Sequence, residues 1–115
     1  MAAVVFAFQK PVPGREAQAL QLYRDLVQYL ESLAKSDKIE SFEPVLLGAH
    51  GGQIDGCVFV SGPGETIRGL PEDPKVAAML SRAYYCLTGH AVIPAYVGSQ
   101  LGERIARMEA LAKAS

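Results

Sequence analysis

The chain has 115 residues, of which 50% are hydrophobic and 20% charged, and its 11 Lys and Arg against 12 Asp and Glu give a net charge of −1. This length is typical of one soluble domain, residues 1–115, which can form a core without disulfides or a structural metal. A near-neutral chain without a basic cluster lacks the attraction on which nucleic-acid and anionic-membrane binding depend, so we expect neither partner.

The first half of the chain predicts a strand, a long helix and a β-hairpin. Residues 2–9 form an apolar run of strand length, which ends where two prolines would interrupt a hydrogen-bonded ladder. Between residues 15 and 36, apolar side chains recur at three- and four-residue steps, which predicts an amphipathic helix. Apolar runs at residues 39–47 and 54–60 flank a glycine-rich connection, which is typical of a hairpin.

The second half predicts two further helices around a last strand. Residues 65–70 form at most a short helical turn, and Asp73 followed by Pro74 is typical of the start of a helix that continues to about Leu87. Residues 91–97 are again apolar and rich in strand-forming residues. A final amphipathic helix then begins near Ser99, with its apolar positions on one stripe.

The order of these elements, β-α-β-β-α-β and a terminal helix, predicts an α+β fold. It is the split βαβ arrangement, with four antiparallel strands in the spatial order 4-1-3-2 and the helices on one face. The prolines agree with this order. Proline is confined to edge strands or bulges, and Pro44 and Pro94 fall in the second and fourth strands, which are the two edges.

The second face of this sheet predicts a homodimer. A sheet face left to solvent should alternate with polar residues, but strands one, three and four are apolar toward both faces. Exposing such a face would leave an apolar patch larger than monomers usually tolerate. We therefore expect two copies to pair through their sheet faces around a two-fold axis.

At this point the chain resembles the dimeric α+β barrel superfamily. The resemblance covers nearly the whole chain and depends on the element order, on the helix opening Gly14-Arg15-Glu16-Ala17, and on the hairpin from residues 39–47 to Gly51-Gly52. It implies a ferredoxin-like fold and a barrel formed by two paired sheets. Members include antibiotic-biosynthesis-type monooxygenases, stress-responsive barrel proteins and many uncharacterised small proteins, so the resemblance implies a dimer but no particular reaction.

The histidines and tyrosines are the first candidates for chemistry. His90, Tyr84 and Tyr96 are predicted to meet where the second long helix returns into the last strand, and enzymes of cyclase and isomerase type in the superfamily use a His with a Tyr. We place a ligand site between the sheet and that helix, with Tyr84 rather than Tyr85 pointing inward. The alternative is an aromatic core with His90 at an exposed helix end.

Two more residues are candidates near the hairpin. His50 lies at its tip, where it either contacts a ligand or hydrogen-bonds to the turn backbone. Glu43 shares a strand face with Ser41 and Val45, and either points into the paired barrel as a base or is a charge that protects an edge strand from pairing.

Cofactor and metal motifs are weak throughout. The segment at residues 62–64 has glycines but not the spacing that cradles a phosphate, and Cys57 and Cys86 lack the spacing of a zinc site, so both are expected to be core thiols. We therefore expect neither cofactor nor metal. The apolar N-terminus follows no basic segment and is only as long as a strand, which favours a cytoplasmic protein without signal peptide or membrane span.

Three functions remain open from the sequence. The protein is a binder of a small apolar or aromatic ligand, a cofactor-independent enzyme of monooxygenase, cyclase or isomerase type, or a structural or regulatory dimer without chemistry. An open pocket inside the fold would favour the first two, whereas a filled interior would favour the third.

Overall fold

The computed structural model describes residues 1–114 and confirms the predicted order of elements. The strands are β1 (Ala2–Gln9), β2 (Ser41–Leu46), β3 (Ile54–Gly62) and β4 (His90–Ala95). The helices are α1 (Glu16–Lys35), α2 (Gly64–Gly69), α3 (Pro74–Cys86) and α4 (Ser99–Ala114), with a 3₁₀ turn at Leu70–Glu72. The last strand ends two residues earlier than predicted, so Tyr96 lies beyond the sheet.

The four strands form one antiparallel sheet in the order β2-β3-β1-β4. This is the predicted order 4-1-3-2 read from the opposite edge. Pro44 and Pro94 lie in the two edge strands, where a missing N–H leaves no gap in the central ladders.

The core lies between one face of the sheet and the helices α1 and α3. On the central strands, alternate residues point toward the helices, as the two-residue period of a strand requires. These buried side chains are Val4, Phe6 and Phe8 of β1 with Val58 and Val60 of β3. Helix α1 covers them with a stripe at helical spacing, which consists of Ala19, Leu22, Leu26, Leu30 and Leu33.

A hydrogen bond ties the two covering helices together. The Asp73 carboxylate caps α3 by accepting from the backbone N–H groups of Lys75 at 2.9 Å and Val76 at 3.3 Å. The Tyr29 hydroxyl on α1 donates to the other oxygen of the same carboxylate at 2.7 Å. Burial, and then the hydrogen bond to Asp73, raise the pKa of Tyr29 to about 12. The helix cap is therefore also a link between α1 and α3, in addition to the ion pair of Asp25 with Arg82.

The opposite face of the sheet, which we call the outer face, is uncovered in the protomer. Its central row crosses all four strands as Glu43, Phe59, Val5 and Ile93. Phe59 is 44% exposed and Ile93 is 48% exposed. Both are large apolar side chains that a second layer would be expected to bury.

Helix α4 is also uncovered. None of its described residues is buried, although Leu101, Ile105 and Met108 form the apolar stripe that the sequence predicts. The radius of gyration is 15.7 Å, whereas a compact domain of about 100 residues has about 13 Å. The helix thus extends beyond the sheet and helices that form the core.

Two predictions about side-chain direction are wrong. Tyr84 is 81% exposed. The buried stripe of α3 consists of Val76, Met79, Ala83 and Cys86, and Tyr84, one residue after Ala83, lies on the solvent side of the helix. Cys86 is a core thiol as expected, but Cys57 is only half-buried because it lies on the outer face.

Candidate functional site

The candidate site is an apolar pocket between α1 and the helix-covered face of the sheet. Its volume is about 180 Å³ and one side opens to the surface. The wall consists of Phe8, Gln9, Pro11, Glu16, Ala19, Leu20, Leu22, Tyr23, Leu46, Asp55, Gly56 and Leu87. Aliphatic and aromatic side chains with a few polar groups are the usual composition of a small-molecule site.

The pocket exists because small residues occupy two facing positions. Gly56 on β3 pairs with Phe8 and Leu46 and therefore faces the helices, but it has no side chain to fill the space. A Cβ atom there would lie 3.0 Å from the carbonyl oxygen of Val45 and 3.1 Å from the Leu46 side chain. Ala19 faces the same space from α1 with only a methyl group.

Tyr23 provides an aromatic wall with an unpaired hydroxyl group. Its ring packs edge-on against Phe8, with centroids 6.0 Å apart. The hydroxyl oxygen is buried and has no hydrogen-bond partner among residues 1–114. Burial raises the pKa of Tyr23, and the backbone of Val45, close to the hydroxyl, partly offsets this effect. Because the hydroxyl oxygen is buried, the ring is the part of Tyr23 that lines the pocket.

The mouth of the pocket carries acidic side chains. Glu16, in the first turn of α1, and Asp55, at the start of β3, both line the pocket. They also line an adjoining surface groove, whose wall includes Lys10 and His50. Tyr23 and Glu16 are not distinguished by the sequence, and Asp55 beside the hairpin is predicted to be a turn residue, since a tyrosine in a helical stripe and carboxylates near turns are common in structural roles.

His50 hydrogen-bonds to the turn backbone, which is one of its two predicted roles. Its Nδ1 atom accepts from the backbone N–H of Gly52 at 2.8 Å, which leaves Nε2 to donate to the carbonyl oxygen of Ile54 at 2.6 Å. Both ring nitrogens therefore hold the hairpin loop. The ring borders the groove outside the pocket rather than the pocket itself.

The space beneath α3, where we expected a ligand site, is filled. Only about 10 Å³ remains there, between side chains that include Phe6, Phe8, Leu26 and Met79. The open space of this core lies instead on the α1 side, at the end of the sheet where Gly56 is found.

The predicted His and Tyr residues meet only in part. The rings of Tyr84 and His90 pack edge-on with centroids 4.7 Å apart, on a surface where Tyr84 is exposed. Tyr96 contacts a different group, the guanidinium of Arg104, at 4.8 Å from its ring centre. Within residues 1–114, none of the three lines the pocket.

Glu43 lies on the outer face, on the same side of β2 as Ser41 and Val45, which settles a choice that the sequence left open. It pairs with Phe59 of β3 and is exposed in the protomer. Burial, and then the nearby charge of Glu43, raise the pKa of the Cys57 thiol, so the thiol form is favoured over the reactive thiolate.

The fold and the site together describe an α+β protein with one covered sheet face and a small apolar pocket. No protein-family model matches the chain, and no curated protein matches it by sequence. Several solved structures share the architecture. One is a dimeric protein of unknown function and ferredoxin-like fold from Bacteroides fragilis, with a TM-score of 0.58 and 11% identity over 82% of this chain and 94% of that one.

The second solved structure is a protein of unknown function from Nitrosomonas europaea. Its TM-score is 0.54, and 13% of residues are identical over 85% of this chain and 92% of that one. The chain therefore has the ferredoxin-like fold. Within residues 1–114, no helix is both long and apolar enough to cross a bilayer.

Proposed function

We propose that the protein binds a small apolar or aromatic molecule in the pocket under α1. The observation that carries the proposal is an open apolar space of about 180 Å³ between α1 and the sheet. A fully packed core would have no such space. The wall offers aromatic contact from the rings of Phe8 and Tyr23.

The volume limits the size of the ligand. An engineered protein cavity of about 150 Å³ lined by apolar side chains is known to hold one benzene molecule. The pocket therefore fits a single aromatic ring or a short branched hydrocarbon, with any larger or polar portion outside the mouth. Its opening to the surface gives such a ligand a route of entry.

This proposal is tested by filling the pocket. Ala19→Leu adds an apolar side chain from the wall of α1, while Ala17→Leu makes the same change on the exposed side of the same helix. Ligand-observed NMR titration with toluene, benzyl alcohol and benzylamine should detect binding to the unchanged protein and to Ala17→Leu. Binding should be lost in Ala19→Leu.

Loss of binding in both variants, or in neither, would place the bound ligand elsewhere. A protein that binds none of the three compounds would contradict the proposal. That result would favour the alternative of a structural or regulatory dimer.

The enzyme alternative has weaker support from the geometry. The Tyr84–His90 pair is the closest approach to the expected His and Tyr site, but Tyr84 stands in solvent. Water competes there for the hydrogen bonds and screens the charges by which such a pair would stabilise a transition state. Ligand binding in the pocket under α1 is therefore the function we favour.

We also propose that two copies pair through their outer faces. The uncovered apolar row that includes Phe59, Val5 and Ile93 supports this arrangement, as does the dimeric state of the Bacteroides fragilis protein. Such pairing would bury on the order of 2,000 Å². The pocket lies on the opposite face of the sheet and would remain open in the dimer.

Sedimentation at micromolar concentration tests the pairing. We expect a single species with twice the mass of the protomer. A folded monomer at that concentration would contradict the proposed dimer, and the outer face would then need another cover. The pocket proposal does not depend on this outcome, since every residue that lines the pocket belongs to one protomer.

A further inference from the structure

We propose that the pocket selects a cationic amphiphile, namely a protonated amine attached to one aromatic ring or a short branched hydrocarbon. The apolar part would occupy the space beside Phe8 and Tyr23, and the ammonium group would lie at the mouth between Glu16 and Asp55. This inference depends on the proposed function, because it names the class of ligand for the same pocket.

The charges of the wall carry the argument. Of the residues that line the pocket, only Glu16 and Asp55 are charged at neutral pH, and both are negative. The ion pairs found within residues 1–114 join Lys35 to Glu31 and Arg82 to Asp25. Neither carboxylate of the mouth therefore has a cationic partner within the described part of the chain.

The position of these carboxylates matches the polar end of an amphiphile. Glu16 and Asp55 line the pocket and also the adjoining groove, so they mark the passage between the apolar interior and solvent. A ligand with its ring inside would hold a substituent at this passage. An ammonium group there would be attracted to both carboxylates, whereas a carboxylate would be repelled by both.

The positive groups nearby are farther from the interior or already engaged. Lys10 lines the groove but not the pocket. The N-terminus of α1 favours negative charge, and Glu16 in its first turn already supplies one. His50 uses both ring nitrogens in hydrogen bonds within the loop. The negative charge of the mouth therefore dominates at the passage.

The test compares three compounds with the same ring and different charge. Benzylamine, benzyl alcohol and benzoate are titrated into the protein and followed by NMR. We expect benzylamine to bind about fivefold more tightly than benzyl alcohol, as one charge pair at contact distance in a water-like medium gives. We expect benzoate to bind most weakly. The preference should shrink in about 0.5 M salt, because salt screens exposed charges.

Substitution of the carboxylates sharpens this test. Glu16→Gln with Asp55→Asn keeps the shape of both side chains and removes their charge, so benzylamine should fall to the affinity of benzyl alcohol. Benzyl alcohol itself should bind as before, which shows that the pocket is intact. Glu65→Gln removes an exposed carboxylate that lines none of the described pockets, and should change neither affinity.

The possible results separate this inference from the proposed function. Equal binding of amine and alcohol, with loss of both in Ala19→Leu, would overturn the charge preference and leave the pocket as a ligand site. Tightest binding of benzoate would overturn it as well, and would indicate that Lys10 and the helix N-terminus dominate. Failure of all three compounds to bind would overturn the proposed function together with the inference.

Discussion

The two faces of the sheet use the same strands in different ways. On β3, Val58 is completely buried beneath the helices, whereas its neighbour Phe59 is 44% exposed on the outer face. Both faces are apolar, so hydrophobicity alone does not distinguish them. The difference is that the protomer supplies helices for one face and no cover for the other. The uncovered face is therefore the candidate surface for assembly. The covered face forms the core and contains the candidate pocket.

The covered face is itself uneven. Beneath α3 the side chains fill the space almost completely, while beneath the beginning of α1 a pocket remains. Protein cores are normally packed at high density. Side chains that line an unfilled space therefore lack dispersion contacts that a packed core would provide. A space bounded by Gly56, Ala19 and the ring of Tyr23 is thus a feature that ligand binding would explain.

The largest expected effect comes from placing the same charge on adjacent residues of β3. Val58→Asp should prevent folding, because an unpaired buried carboxylate costs several kcal/mol against a total stability of about 5–15 kcal/mol. Phe59→Asp should leave a folded protomer and disrupt the proposed dimer. Circular dichroism and sedimentation at one protein concentration measure the two outcomes.

Two outcomes would contradict the different roles of the two sheet faces. A folded Val58→Asp protein would mean that the helix-covered face tolerates a charge and is not the core. A Phe59→Asp protein that remains dimeric would exclude the outer face as the interface.

A smaller effect is expected from the link between the covering helices. Tyr29→Phe removes the hydroxyl that donates to Asp73. It should lower the free energy of unfolding by about 1.5 kcal/mol, the lower end of the range for hydrogen bonds to charged groups. Urea unfolding near neutral pH measures the change. Tyr85→Phe is the matched control, since the Tyr85 ring contacts Arg15 without a hydrogen bond from its hydroxyl among residues 1–114.

The same link predicts a dependence on pH. The pKa of Tyr29 is raised to about 12 in the folded protein, while an unfolded tyrosine titrates near 10. A raised pKa stabilises the fold below about pH 10, and this contribution is lost as the pH rises from about 10 toward 12. The difference between the unchanged protein and Tyr29→Phe should therefore narrow between about pH 8 and about pH 11. A constant difference would contradict the role of the Tyr29 hydroxyl.

The smallest expected effect concerns the uncovered helix α4. This helix continues from β4, whose outer face belongs to the proposed interface, so a second copy is its expected cover. Ile105→Glu places a charge in the apolar stripe and should weaken the dimer without changing the fold of the protomer. Ala110→Glu, on the opposite side of the helix, is the control.

Sedimentation over a range of protein concentrations measures this effect. Ile105→Glu should shift dissociation to higher concentration and Ala110→Glu should not. Identical behaviour of the two variants would mean that the stripe of α4 takes no part in the dimer.

The sequence determined the elements and their arrangement. The helix of residues 16–35 follows from apolar spacing, because a periodic stripe is a property of the chain itself. The strand order follows from the order of the elements along the chain. The positions of Pro44 and Pro94 agree with it, because a residue without an N–H is tolerated at an edge. The apolar character of the outer face was also readable, since it needs only the alternation of neighbouring residues.

The position of the candidate site depends on how the elements pack together. Tyr84 was expected inside, but a rotation of one residue about the axis of α3 moves a side chain by about 100° and places it in solvent. The pocket depends on Gly56 facing Ala19 across a gap, between segments that lie far apart in the sequence. No sequence pattern predicts such a pocket, because it arises where the side chains of neighbouring elements do not fill the space between them. The carboxylates at its mouth likewise acquire their shared position only when α1 packs on the sheet.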